Sequence, residues 1–163
     1  MFLSIFDIFK VGVGPSSSHT MGPMLAARRF LERCVATELP PGRVNLMCRL
    51  YGSLAYTGEG HGTNRAVLCG LCGMMPETYD RQAADAALDE LGRTGTVRLP
   101  NGRVVGLTAV SVQPQRGQRL EGHPNGMTFA LADEAGRELL SETYFSIGGG
   151  FVLTETELAA GAS

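Results

Sequence analysis

The sequence of 163 residues contains almost no lysine. Lys10 is the only one, and arginine supplies the rest of the positive charge. The formal net charge is −2, and basic residues form no run anywhere in the chain. Because a protein must present a basic patch to neutralise nucleic-acid phosphates, this composition argues against a nucleic-acid-binding function.

Long apolar segments are also missing. No uninterrupted apolar stretch approaches the ~20 residues of a membrane-spanning helix, and the segment Met1–Phe9 has neither the basic flank nor the length of a signal peptide. We therefore expect a cytoplasmic protein that does not contact a membrane. With 44% apolar and 18% charged residues, a chain of this length is predicted to form one globular domain that buries about 68–70% of its unfolded surface.

Cysteine is scarce, and its spacing fits neither a disulfide framework nor a four-ligand zinc site with the three histidines. Cys69 and Cys72 form a CxxC motif inside a predicted helix, where both face the same side among apolar neighbours. An exposed thiol redox module is one interpretation, and it predicts a lowered thiol pKa. Buried thiols that act as small hydrophobic side chains are the other, which the apolar neighbours favour. The remaining cysteines are Cys34 and Cys48.

The sequence is rich in glycine and hydroxyl groups over residues 12–23, which read GVGPSSSHTMGP. Apolar residues at helical spacing follow from Met24 to Val35, so this run precedes a helix. The free N–H groups and positive dipole end of a helix start favour a carboxylate or phosphate. A capping hydroxyl is a compatible alternative, but capping needs one hydroxyl rather than four. The hydroxyls and imidazole belong to Ser16, Ser17, Ser18, His19 and Thr20.

The pattern of the remaining chain predicts an α+β fold, with a mixed or antiparallel sheet packed with about three helices. We expect these helices from Met21 to about Thr37, from Thr63 to about Leu71, and from Asp80 to about Leu91, with Gly92 ending the third. A short helix is expected within residues 1–13. No pattern remains after Thr154, so residues 154–163 are interpreted as a linker or a truncated tail and residues 1–153 as the domain.

Strands are predicted from alternation and turn residues. Residues 43–50 alternate between apolar and polar, which indicates a half-buried strand. Residues 96–99 and 103–107 flank the turn Pro100-Asn101-Gly102, and residues 127–132 are expected to pair with 138–147. Residues 109–112 are expected to extend the sheet.

Two further polar loops carry candidate chemistry. The first, YGSLAYTGEGHGTN over residues 51–64, places His61 between two glycines and Thr63 at a second helix start. The second contains His123 and Asn125. Histidine accepts protons near neutral pH, although a structural histidine is the alternative for each one, and equally so for His123. No G-x-S-x-G motif supports a serine nucleophile in the hydroxyl run.

Five motifs carry a family resemblance in this order and spacing: SIFDIFKVGVGPSSSHTMGPM, YGSLAYTGEGHGTNRAV, PET, HPNGM and YFSIGGGF. Together they resemble the β domain of the iron–sulfur-dependent L-serine dehydratases, or L-serine ammonia-lyases, over nearly the whole chain. This domain also resembles the allosteric substrate-binding domain of some D-3-phosphoglycerate dehydrogenases. The resemblance implies that the chain deaminates L-serine to pyruvate and ammonia together with an α domain that holds a 4Fe-4S cluster.

The resemblance also implies site roles. The substrate carboxylate is expected on Ser16, Ser17, Ser18, His19 and Thr20, and His61 is expected to remove the Cα proton while an iron of the cluster acts on the departing hydroxyl. Thr63 and Asn125 are expected to orient the substrate or the base. No cysteine of this chain inherits a cluster-ligand role, so we expect the chain alone to be colourless and inactive.

The sequence departs from the family pattern at two positions. Glu59 and Asn64 stand where the family pattern leads us to expect a lysine and an aspartate.

The α domain is expected either in cis, with this chain as the N-terminal piece, or as a separate subunit, and a homodimer is possible. The alternative function is a regulatory module that binds serine or another small carboxylate without catalysis.

Overall fold

A computed structural model describes residues 17–57 and 62–161 of the chain. Within them, four α-helices and a seven-stranded mixed sheet form an α+β fold, as the sequence predicts. The helices are α1 (Gly22–Ala36), α2 (Thr63–Leu71), α3 (Arg81–Thr94) and α4 (Glu155–Gly161). The strands are β1 (Val44–Leu50), β2 (Thr96–Arg98), β3 (Val104–Gly106), β4 (Val112–Pro114), β5 (Gly126–Asp133), β6 (Glu138–Gly148) and β7 (Phe151–Thr154). The predicted helix within residues 1–13 lies outside the described residues.

Strand β1 organises the sheet. The strand order is β2-β3-β1-β5-β6-β7, and β4 also pairs with β1. Strands β3 and β4 run parallel to β1 at different points along it, at Asn45 and from Cys48 to Leu50 respectively, whereas β5 is antiparallel to it. The alternation predicted for β1 is confirmed. One face is buried and consists of Val44, Leu46, Cys48 and Leu50, whereas the residues of the other face are half-buried.

The larger of two hydrophobic clusters among the described residues lies between the sheet and the helices. Phe30 of α1 stacks on Phe129 of β5 with ring centroids 5.5 Å apart, and Phe129 meets Tyr144 of β6 edge-on at 5.8 Å. Helices α1 and α2 pack closely at Gly70, where a β-carbon would collide with the carbonyl oxygen of Met24. Each buried aromatic side chain stabilises the fold by about 1.5–3 kcal/mol.

Helix α3 ends later than the sequence predicts. Gly92 lies inside the helix, and the chain leaves it at Gly95, whose φ is +66° and whose N–H donates to the carbonyl of Leu91 at 2.8 Å. Glycine is the residue that adopts this left-handed conformation without steric cost, so the later of the two glycines ends the helix.

The predicted strand at residues 109–112 is largely wrong. Ala109–Ser111 forms a 3-10 turn, and the strand β4 begins only at Val112. The Ser111 hydroxyl accepts from the Thr108 N–H at 3.0 Å, and this local bond gives the backbone an alternative to the sheet.

The C-terminal residues contain more structure than the pattern indicates. Strand β7 was not predicted, and α4 lies where no regular element was expected. The division of the chain into residues 1–153 and 154–163 stays a prediction. Among the residues that the structure describes, no helix combines the length and the hydrophobicity that crossing a bilayer requires.

Candidate functional site

The hydroxyl run leads directly into α1. Ser17–Met21 forms a π-helical turn that continues into the helix, with Pro23 near its start. Thr20 and Met21 are buried in this turn, whereas Ser17, Ser18 and His19 are half-buried. The turn therefore anchors itself on one side and presents polar groups on the other, at the positive end of a 15-residue helix.

His19 is held through both ring nitrogens. Ser18 Oγ lies 2.7 Å from Nδ1, and Ser53 Oγ lies 3.2 Å from Nε2. Ser53 belongs to the 3-10 turn Gly52–Tyr56, which follows β1. The imidazole thus connects the hydroxyl run to the glycine-rich loop.

Ser53 extends the network to the third loop. Its hydroxyl donates to Asn125 Oδ1, and Asn125 Nδ2 donates to the carbonyl of Ser146 at 3.1 Å. Asn125 is 8% exposed, so its amide is almost completely enclosed. These contacts join the π turn, the 3-10 turn and the start of β5 through side chains.

Backbone contacts fix the 3-10 turn against the third loop. The Ser53 N–H donates to the carbonyl of Pro124 at 3.1 Å, and the Gly52 N–H donates to that of Gln118 at 2.9 Å. A β-carbon at Gly52 would collide with the Pro124 carbonyl oxygen, and the φ of Gly52 is +57°. Only glycine allows this approach, so Gly52 is required for the position of Ser53.

Thr63 joins the start of α2 to the same turn. Its hydroxyl donates to the carbonyl of His19 at 2.6 Å and lies 2.9 Å from the hydroxyl of Thr57. The starts of α1 and α2 therefore lie side by side.

The structure brings together Ser18, His19, Thr63 and Asn125, with Ser17 and Thr20 in the same turn as His19. Ser16 and His61 lie outside the described residues, so their predicted roles stay predictions. Ser53 is the residue that the sequence reasoning missed. The only signal for it was its place in the glycine-rich loop just after a strand.

His123 has a local structural role. The Asn125 N–H donates to His123 Nδ1 at 3.1 Å, which stabilises the turn that precedes β5. Of the two interpretations of this histidine, the contact supports the structural one.

Of the two CxxC thiols, Cys69 is buried and Cys72 is half-buried. Burial raises the pKa of Cys69 and of Cys72 to about 11 each, and the nearby Arg65 opposes this shift only partly at Cys69. Burial also raises the pKa of Cys34 to about 12 and that of Cys48 further still. The raised pKa values support the interpretation as small hydrophobic side chains, and they run opposite to the lowered thiol pKa that an exposed redox module predicts.

The described part of the chain holds no group of three or more His, Cys, Asp or Glu side chains placed to bind a metal ion. Together with the neutral thiols, this means that the described residues do not fit an iron–sulfur cluster, whose irons are held by thiolates.

A separate cleft of about 940 Å³ lies between α2, α3 and the 108–110 turn, with Leu68, Leu88 and Leu91 in its wall. The charged residue of the cleft is Arg65, whose Nη2 donates hydrogen bonds to the Tyr79 hydroxyl at 3.1 Å and to Asp85 Oδ1 at 2.6 Å. This apolar cleft does not suit a small dipolar amino acid, so the hydroxyl-lined region remains the candidate site.

Comparisons with known proteins point to one family. A family model described as the serine dehydratase beta chain matches residues 4–157. The L-serine dehydratase of Mycobacterium tuberculosis is 45% identical over 159 residues, which cover 95% of this chain and 34% of that protein. The L-serine dehydratase of Streptomyces coelicolor is 42% identical over 161 residues, which cover 98% of this chain and 35% of that protein. L-serine dehydratase 2 of Escherichia coli is 39% identical over 155 residues, which cover 94% of this chain and 34% of that protein. The chain thus spans about a third of the length of these relatives.

Proposed function

This chain belongs to the serine dehydratase beta-chain family. We propose that it supplies the substrate-binding residues of an L-serine dehydratase active site. The reaction converts L-serine to pyruvate and ammonia in the cytoplasm. The other half belongs to a second domain, either in cis or as a separate subunit, and a homodimer of the complete enzyme is part of the prediction.

The observation that carries this proposal is the convergence of three polar loops. Ser53 is hydrogen-bonded to both His19 and Asn125, and Thr63 is hydrogen-bonded to the His19 carbonyl. Residues far apart in sequence therefore surround the positive start of α1, where a small carboxylate is favoured. In our proposal this carboxylate site is formed by the residues that the family resemblance implies, Ser16, Ser17, Ser18, His19 and Thr20.

His61 is proposed as the base that removes the Cα proton of serine. The contacts of the flanking residues support this assignment, because Thr57 and Thr63 are hydrogen-bonded to each other and Thr63 also holds His19. Both ends of the segment that contains His61 are thus next to the hydroxyl run. Thr63 and Asn125 orient the groups around the substrate.

The proton and the hydroxyl leave from neighbouring carbons. Loss of the Cα proton to His61 and of hydroxide from Cβ forms aminoacrylate, which tautomerises to an imine and is hydrolysed by water to pyruvate and ammonia. Histidine suits the first step because its ordinary pKa of about 6.5 needs little adjustment. We assign no residue of this chain to the departing hydroxyl.

The 4Fe-4S cluster of the proposed enzyme belongs to the second domain. Among the described residues three of the four thiols are buried, Cys72 is half-buried, and burial raises the pKa of all four, which supports this assignment.

The test is anaerobic reconstitution of the chain with a cluster-bearing α domain, followed by an assay of pyruvate from L-serine. We expect activity in the complex and a loss of at least about a hundredfold in His61→Ala, as removal of a general base predicts. An unchanged urea midpoint in the variant shows that folding is intact.

Near-normal turnover by His61→Ala would remove it as the base. Serine binding without any pyruvate formation in the reconstituted complex would instead favour the regulatory module that binds serine without chemistry.

A further inference from the structure

Ser53 lies between two groups whose hydrogen-bonding roles fix its own. Asn125 Nδ2 is 3.1 Å from the carbonyl oxygen of Ser146, which accepts and never donates. The amide orientation is therefore determined, and Oδ1 is the atom that faces Ser53. Because Oδ1 is also only an acceptor, the single hydrogen of the Ser53 hydroxyl goes to Asn125.

The same reasoning determines the proton on His19. With its hydrogen committed to Asn125, Ser53 Oγ acts as the acceptor for His19 Nε2, 3.2 Å away, so Nε2 carries the hydrogen. In a neutral imidazole the other nitrogen, Nδ1, then carries no hydrogen and accepts a hydrogen bond. Ser18 Oγ, 2.7 Å from Nδ1, consequently donates to it.

We propose that Ser53 is a positioning residue that holds His19 in the Nε2–H tautomer and thereby makes the Ser18 oxygen an acceptor toward the substrate. The hydrogens of Ser18, His19, Ser53 and Asn125 all point in one direction, ending at the Ser146 carbonyl. The enclosed amide of Asn125 thus sets the hydrogen-bonding role of the Ser18 hydroxyl, which is three hydrogen bonds away.

The polarity of Ser18 decides which end of the substrate it recognises; this step rests on the proposed function for the identity of the ligand. A carboxylate only accepts hydrogen bonds, whereas an ammonium group only donates them. The Ser18 oxygen therefore matches the ammonium group of serine. This revises the expected contact between Ser18 and the carboxylate. Both ring nitrogens of His19 are also engaged within the network, so we leave the carboxylate to the other groups at the helix start.

The tautomer can be measured in the full chain without any activity. In a sample labelled with ¹⁵N-histidine at about pH 8.5, where an ordinary imidazole is neutral, the ring nitrogen shifts distinguish the two tautomers. Comparison with His19→Gln assigns the His19 signals. We expect the Nε2–H form in the wild type, both forms in Ser53→Ala, and the Nε2–H form again in Ser53→Thr, which retains the hydroxyl.

A wild-type spectrum with the Nδ1–H form would overturn the proposal, whether or not the alanine variant folds. An unaltered His19 tautomer in a folded Ser53→Ala would do the same. Either result leaves the proposed lyase function intact, because neither measurement involves the reaction.

The link to the substrate is tested in the reconstituted enzyme. We expect Ser53→Ala to raise KM for L-serine about fivefold, as the loss of one neutral hydrogen bond predicts, with a smaller change in kcat. Ser53→Thr is expected to restore KM. An unchanged KM in Ser53→Ala would contradict the substrate link, whereas an inactive wild-type complex would count against the proposed function itself.

Discussion

The hydroxyl of Thr63 and the carbonyl oxygen of His19 are 2.6 Å apart although 44 positions separate the two residues. Thr63 is fully buried, so its hydroxyl has no water to replace this partner. The bond makes the π turn before α1 and the first turn of α2 one structural unit. Any group placed at one helix start is thereby fixed relative to the other.

Thr63→Val is expected to destabilise the protein by about 2 kcal/mol, because it keeps the shape of this buried side chain but removes the hydrogen bond that the Thr63 hydroxyl donates to the His19 carbonyl. Thr63→Ser keeps the donor and removes one methyl group, so its cost should be about 1 kcal/mol. Urea unfolding of both variants measures the difference. A valine variant as stable as the wild type would show that the hydrogen bond contributes nothing.

For a second buried hydroxyl, that of Ser146, we expect that its removal does not destabilise the protein. Ser146 Oγ is fully buried and has no hydrogen-bond partner among the described residues, and it lies against the backbone of Gly22. Ser146→Ala removes an unsatisfied polar atom but retains the backbone carbonyl that Asn125 uses. We expect the free energy of unfolding to stay the same or to rise by up to about 1 kcal/mol.

The control for this prediction is Ser141→Ala, an exposed position on the same strand, which should change stability by less than about 0.5 kcal/mol. A loss above 1 kcal/mol in Ser146→Ala, measured by urea unfolding against this control, would show that the hydroxyl has a stabilising contact.

The elements that the sequence predicted well are those whose signal is local and periodic. Thr63–Leu71 forms a helix with the predicted bounds, and β1 has the predicted buried face. Hairpins at Pro100-Asn101-Gly102 and between β5 and β6 also follow from turn residues. The spacing of apolar residues within an element shows which of its sides packs against the core, so these elements can be predicted without knowing their distant contacts.

The site could be predicted only as a set of loops. Nothing local marks Ser53, because its role depends on contacts with His19 and Asn125 from distant parts of the chain. In contrast, α4 had a local signal that the sequence reasoning overlooked. Thr154 and Glu157 stand at the spacing of a capping box, and each side chain accepts a hydrogen bond from the backbone N–H of the other.

The raised thiol pKa values predict slow alkylation of the native protein. With a pKa of about 11, Cys69 and Cys72 are roughly 0.1% thiolate at pH 8, and burial restricts access further. We expect iodoacetamide to label neither residue appreciably in an hour, and all four cysteines to react once urea unfolds the chain. Mass spectrometry counts the labelled sites. Rapid labelling of either residue in the native protein would reinstate an exposed thiol.

Glu157 provides a pH-dependent contribution at the C-terminal helix. The Thr154 N–H donates to its carboxylate at 2.9 Å and Arg29 does so at 3.0 Å, and these bonds lower the pKa of Glu157 to about 2. Because the pKa is depressed in the folded state, the stabilisation is complete above the ordinary value of about 4.5. It is lost as the pH falls from there toward 2.

Glu157→Gln is therefore expected to lower the free energy of unfolding at pH 7 and to have a smaller effect at pH 3. The side chain is about half exposed, so solvent screening keeps the effect at pH 7 below about 1 kcal/mol. Urea midpoints at the two pH values measure it. Glu155→Gln is the matched control, since it removes the same charge from the same helical turn without altering the bonds to Thr154 and Arg29. A difference between wild type and Glu157→Gln that is equal at both pH values, or an equally large effect of Glu155→Gln, would contradict the assignment, because only a carboxylate stabilised by these specific bonds loses its contribution in this pH range.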